Sequence, residues 1–96
     1  MTDITSLLTS TDKLISERQK THGLFAEQSR LAQALKDIFR CAPNWVLLSP
    51  AQREGLDMNA NKVARILAGD PSFRDHWDDI AGYAMLVSKE LKNGKL

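Results

Sequence analysis

Apolar residues that return every third or fourth position, with no run of strict alternation anywhere, confine this chain to α-helices. The repeat is cleanest at Phe25, Leu31, Ala32, Leu35, Ile38 and Phe39, one face of a helix over about residues 24–40. Ile4, Leu7, Leu8, Leu14 and Ile15 define an earlier helix over about residues 3–20, with Thr11 and Arg18 on the same stripe. Leu56, Ala60, Val63, Ala64 and Leu67 mark a third helix, and Trp77, Ile80, Ala81, Ala84, Val87 and Leu91 a fourth over about residues 73–92.

The residues between these stripes are helix punctuation. Gly23, after His22, reaches the left-handed backbone conformation that closes a helix. Pro43 breaks the second helix, and Trp45-Val46-Leu47-Leu48 reads as a short apolar connector capping one end of the core. Ser49-Pro50-Ala51-Gln52 is a helix start: the serine caps free N–H groups, proline suits the first turn, and Gln52 completes a capping box. The third helix then runs to about Leu67, before Gly69-Asp70-Pro71-Ser72 makes the turn. The pattern predicts one compact all-α bundle of four helices spanning residues 1–96, with Trp45 and Trp77 inside it and His76 exposed.

A chain of 96 residues has room for one modest core, so burial of further apolar surface between copies is a natural supplement, and a homo-oligomer is expected. Thirteen basic against twelve acidic side chains leave a formal charge of +1, which gives no global attraction for nucleic acid or an anionic membrane. With neither a basic face nor a helix-turn-helix pattern, DNA and RNA are not expected partners. One cysteine, Cys41, makes no intrachain disulfide and has no activating neighbour in the sequence, so it reads as structural. The opening residues lack a signal-peptide pattern, and no run approaches the ~20 apolar residues of a membrane span. A cytoplasmic location in a bacterial cell follows as the expectation.

Polar residues gather on the last two helices. Asp75, Asp79, Gly82 and Leu86 share the side of the fourth helix away from its apolar stripe, with Asp78 beside them, and Gly82 in mid-helix points to something packing closely there. Glu54, Met58, Asn61, Lys62 and Arg65 share the corresponding side of the third. The plain reading is ion pairing of Lys62 and Arg65 with Asp75, Asp78 or Asp79. The functional reading is a phosphate site in which the cations meet phosphate oxygens, with Asp75, Asp78 and Asp79 available to magnesium. Arg18, on an apolar stripe where its charge needs a partner such as an aspartate of the fourth helix, joins the candidates. So do His22, which titrates near neutrality, and Tyr83, whose ring can stack on a base. For His22 the alternative is a capping role, and for Tyr83 a core or interface position.

Three segments, Glu17-Arg18-x-x-x-His22-Gly23, Lys62-Val63-Ala64-Arg65-Ile66-Leu67 and Asp75-x-Trp77-x-Asp79-Ile80-Ala81-Gly82-Tyr83-Ala84, resemble a family of small uncharacterised proteins of phages and prophages. That family is in turn similar to the all-α nucleotide pyrophosphohydrolases of the MazG kind, whose magnesium is held by Glu-x-x-Glu on one helix and Glu-x-x-Asp on the next. Here Asp75-x-x-Asp78, or Asp79, matches the second element. The facing helix reads Met58-Asn59-Ala60-Asn61-Lys62 instead of a carboxylate pair, and Glu54-x-x-Asp57 lies about a turn too early. Two anionic ligands fewer and a lysine more favour binding of a nucleotide over its hydrolysis.

The resemblance implies a phage-type protein that binds a nucleotide or a nucleotide-derived signalling molecule through Arg18, His22, Lys62, Arg65, Asp79 and Tyr83. Such a protein would sequester the molecule against host defence, in a site completed by oligomer formation. Two alternatives stand beside it: a magnesium-dependent nucleoside triphosphate pyrophosphohydrolase using Asp75, Asp78 and Asp79, and a protein-interaction inhibitor of a host factor.

Overall fold

Four α-helices and one short 3₁₀ turn follow one another with short connections: α1 (Ile4–His22), α2 (Phe25–Cys41), the turn (Trp45–Leu47), α3 (Pro50–Ala68) and α4 (Arg74–Lys92). The structure is a computed structural model that describes residues 4–94, with side chains from residue 10 onward. Expected stripe positions Ile4, Leu7 and Leu8 have side chains outside the described residues. No strand occurs among the described residues.

The helix boundaries follow from the residues that set them. Gly23 has φ +79°, and its N–H donates to the Gln19 carbonyl at 2.8 Å, the left-handed closure expected after His22. At the start of α3 the Ser49 hydroxyl accepts from the Gln52 N–H at 3.2 Å while the Gln52 side chain accepts from the Ser49 N–H at 2.9 Å, so the capping box is complete. Trp45 is half-buried. It stacks on Phe39 with ring centroids 6.2 Å apart and lies between the Arg40 and Arg53 guanidinium groups, 4.9 and 5.6 Å from its ring. Arg40 also pairs with Asp57 through two hydrogen bonds of 3.2 and 3.0 Å, which ties α2 to α3 and commits the carboxylate of Glu54-x-x-Asp57 to the fold.

The molecule is elongated, not compact. Its extents are 55 × 28 × 27 Å and its radius of gyration is 17.1 Å, against about 12.5 Å for a compact domain of this length. The central helix is α3, with α2 packed on one side and α4 on the other. Among the described side chains of α1, residues 10–20 are all exposed and burial begins at Thr21, where the helix meets this layer.

The fully covered interior is correspondingly small. Ala32, Ala60, Ala64 and Ile66 are its apolar members, and the largest fully buried side chain is His76, at 2% exposure. Several positions expected to fill the core are open to solvent: Leu14, Ile15, Ile38, Leu56, Leu67, Trp77 and Leu91 are all exposed, as are Ala81 and Ala84. The face of α4 turned to α3 carries Phe73, His76, Ile80, Tyr83 and Val87, a stripe rotated from the one expected. Packing of α4 is set by Gly55, where an added Cβ would stand 2.6 Å from Val87 Cγ2, so α3 and α4 approach closely there. The exposed Trp77 ring is anchored by its indole N–H, which donates to the Pro71 carbonyl at 2.8 Å and clamps the α3–α4 turn. Val46 and Leu47 of the connector are also exposed.

Candidate functional site

The site begins with the contact between two hinges. A side chain on Gly23 would run into the Ala68 carbonyl, and one on Gly69 into the Thr21 carbonyl, so the α1–α2 and α3–α4 hinges touch backbone to backbone. Thr21 lies at the end of α1, where carbonyls lack helical partners. Its carbonyl accepts the Asp70 N–H at 3.0 Å and the His76 Nε2–H at 3.1 Å. The carbonyl can only accept, so the buried His76 carries its proton on Nε2. The His76 ring packs edge-on against His22 and Phe73, at 4.7 and 4.9 Å.

This contact holds His22 beside Lys62 and Arg65 of α3. The Thr21 hydroxyl lies 2.7 Å from His22 Nδ1 and 3.2 Å from the Arg18 carbonyl. Its single proton goes to the carbonyl, so His22 Nδ1–H donates to the hydroxyl, and Nε2 of the neutral ring holds a lone pair. Burial is the largest influence on His22, followed by the charges of Arg65, His76, Arg18 and Lys62, and together they lower its pKa from 6.5 to about 4.

Folded His22 thus resists protonation where an unfolded histidine accepts it. As acid is added, the unfolded chain binds the proton first, so the contribution of His22 is complete above about pH 6.5 and is lost as pH falls toward 4. Urea denaturation at a series of pH values should show this decline, and His22→Gln should flatten it between those limits. Asp79 lies below the usual carboxylate range, first because Lys62 donates a hydrogen bond to it, and it contributes at lower pH.

Lys62 Nζ and Asp79 Oδ2 are 2.9 Å apart, so the basic and acidic stripes meet within one chain. Arg65 is different. Its half-buried guanidinium donates through Nε to Gln28 Oε1 at 3.3 Å and has no carboxylate partner among the described residues. Burial, and then the charge of Arg18, lower its pKa. Its head opens on a polar cavity of about 240 Å³ between α2 and α3, shared with Gln28, Ser29, Gln33 and Asn61. Arg18 itself is exposed and needs no buried aspartate, although its charge reaches both His22 and Arg65.

On the other side of Lys62, Tyr83 borders a second hollow with Asp78, Asp79, Gly82 and Leu86. Apart from its chain neighbours and the backbone of its own helix, no described atom lies within 4 Å of where a Gly82 side chain would be. Among the described residues, no other element packs closely on this glycine. Gly82→Ala should therefore stabilise the helix by about 1 kcal/mol, read as a higher denaturation midpoint.

Arg18, His22, Lys62, Arg65, Asp79 and Tyr83 thus form one neighbourhood. Asp75 is exposed, and Asp78, which lines the second hollow beside Asp79, pairs with Arg74 at 3.3 Å. Among the described residues no three of His, Cys, Asp and Glu come together in a group that could hold a metal ion, and Asp79 is engaged by Lys62. Cys41 is exposed at the end of α2.

Sequence reasoning missed His76, Thr21 and the amides of Gln28 and Gln33. The signal for His76 was present, because it stands in the Phe73-His76-Ile80-Tyr83-Val87 repeat at helical spacing. A histidine in such a stripe is buried and must find a partner.

The segments that build this neighbourhood, from Arg18 to Tyr83, all lie within the stretch that a family profile matches, residues 6–91. The chain belongs to DUF6378, a domain of unknown function. No curated protein and no solved structure matches the chain. Among the described residues of this DUF6378 protein, no helix is long and apolar enough to cross a membrane.

Proposed function

We propose that this DUF6378 protein binds a phosphate-bearing small molecule, a nucleotide or nucleotide-derived signal, on the polar side of α3. The observation that carries this reading is Arg65: a half-buried guanidinium whose terminal nitrogens lack a carboxylate partner among the described residues, facing a polar cavity. Arg18, Lys62 and Arg65 bring three positive charges to His22, and Asp79 is the carboxylate that offsets them. An anion completes that balance, and a guanidinium fork suits phosphate oxygens.

The other groups supply specificity. His22 Nε2 is an acceptor for a ligand hydroxyl or amine, the amides of Gln28, Gln33 and Asn61 suit the edge of a base, and Tyr83 offers a ring for stacking. Nothing in this arrangement requires a metal, so the reading is of binding and sequestration. Together with the resemblance to small phage proteins, it fits removal of a host signalling nucleotide.

Titration calorimetry against a panel of nucleotides, including cyclic and ADP-ribose-derived compounds, tests the proposal. At least one should bind, and Arg65→Ala should weaken it roughly tenfold to a hundredfold, the loss of one charge-assisted hydrogen-bonded contact. A panel without a binder, or a binder indifferent to Arg65→Ala and Lys62→Ala together, would sink the idea.

A further inference from the structure

Phe25 leads the apolar stripe of α2, yet it is 77% exposed and stacks on no other aromatic ring among the described residues. A single exposed apolar side chain is ordinary. The place of this one is not. Phe25 and Gln28, one helical turn apart, form a ridge between two hollows. Toward α3 lies the polar cavity of about 240 Å³ on which Arg65 opens. Toward α1 lies a second hollow of about 330 Å³, lined by Ile15, Arg18, Gln19 and Gly23 besides the two ridge residues. This α1–α2 cleft is mostly apolar, and Ile15, on its α1 side, is 50% exposed.

We infer that the ligand of the candidate site lies across this ridge, its phosphate held between Arg18 and Arg65 and its base stacked on Phe25 in the α1–α2 cleft. The inference rests on the proposed binding of a nucleotide and gives the base its place on the chain. The two guanidinium groups flank Gln28: Arg65 donates to its Oε1 at 3.3 Å from the α3 side, and Arg18 shares the cleft with it on the α1 side. The charge of Arg18 is felt at Arg65, and neither arginine is in an ion pair among the described residues. Two like charges so placed call for an anion between them, and a guanidinium fork suits phosphate.

The cleft beside that anion selects what else the ligand carries. A sugar phosphate or a polyphosphate is polar throughout and leaves Ile15 and Phe25 in water. A base is a flat ring that covers both side chains, and its hydrogen-bonding edge reaches the Gln28 amide at the ridge. Gln33 and Asn61, farther into the polar cavity, then suit the ribose hydroxyls. Tyr83 lines neither of these two hollows, so the stacking role falls to Phe25. Ile15, Arg18 and Gln19 all belong to α1, whose described side chains before Thr21 are exposed. A bound base therefore also ties α1 to α2.

Titration calorimetry of the full chain with AMP, cyclic di-AMP and ADP-ribose, each compared with ribose 5-phosphate, reads what the base contributes. At least one of the three should bind roughly tenfold or more tightly than the base-free sugar phosphate. Phe25→Ala should lower that preference roughly tenfold, the loss of one stacked ring, and Phe25→Trp should keep it. Hydrogen exchange supplies a readout on the unaltered chain: the nucleotide that binds should slow the amides of residues 15–22, and ribose 5-phosphate should slow them less. A nucleotide whose binding falls with Arg65→Ala but is indifferent to Phe25→Ala overturns this inference and leaves the binding reading standing, as does a nucleotide held no more tightly than ribose 5-phosphate. If none of the four probes binds, both fall.

Discussion

Gly23→Ala should cost the fold about 3 kcal/mol, a drop of roughly 15 °C in melting temperature for a domain of this size. Two effects add. An alanine at φ +79° is forced into the left-handed region, at about 1–2 kcal/mol. Its Cβ also runs into the Ala68 carbonyl, so the hinges must separate and strain the Asp70–Thr21 hydrogen bond. Gly69→Ala lacks the left-handed component, since its φ is −114°, but it still crowds the Thr21 carbonyl, and the loss should be smaller. Urea denaturation followed by helical circular dichroism, at one protein concentration throughout, reads both. A Gly23→Ala chain as stable as the parent would mean that the hinges do not touch.

His76→Ala is the second large loss, about 2–4 kcal/mol, because it empties the largest fully buried side-chain position and removes a hydrogen bond. The ranking of variants carries the test. His76→Phe keeps a ring against His22 and Phe73 and gives up only the Nε2–H, and the Thr21 carbonyl still accepts from Asp70, so it should lose only about 1 kcal/mol. Equal losses for Ala and Phe would show that the hydrogen bond, not the packing, holds the hinge. Because His76 braces the His22 ring, the alanine variant should also move the His22 titration by proton NMR toward its unperturbed 6.5, as the pocket that desolvates it loosens.

The candidate site was partly legible before its geometry was known. Lys62 and Asp79 stood on complementary stripes and do pair, and His22 beside Gly23 does mark the hinge that brings α1 to them. Arg65 broke the expected pattern, since ion pairing predicted a carboxylate for it and the structure gives it a glutamine. Periodicity shows which side of a helix a residue is on, but not whether a neighbouring helix stands close enough to reach it.

The chain's local chemistry settled the helices. Helix boundaries depend on residues within a turn or two, such as Ser49 with Gln52 or Gly23 after His22, and the forces that act there are short-ranged enough to read in order. The apolar stripes were also correctly seen as stripes, and yet Ile38, Leu67, Trp77 and Leu91 face solvent. Hydrophobicity states that a surface should leave water and carries no address for what covers it. Only the tertiary structure decided that α3 would sit between α2 and α4, with α1 held at its end by two glycines and a buried histidine. That arrangement turned the expected core of a bundle into one open face, and placed the charges of Arg18, Lys62 and Arg65 together on the other.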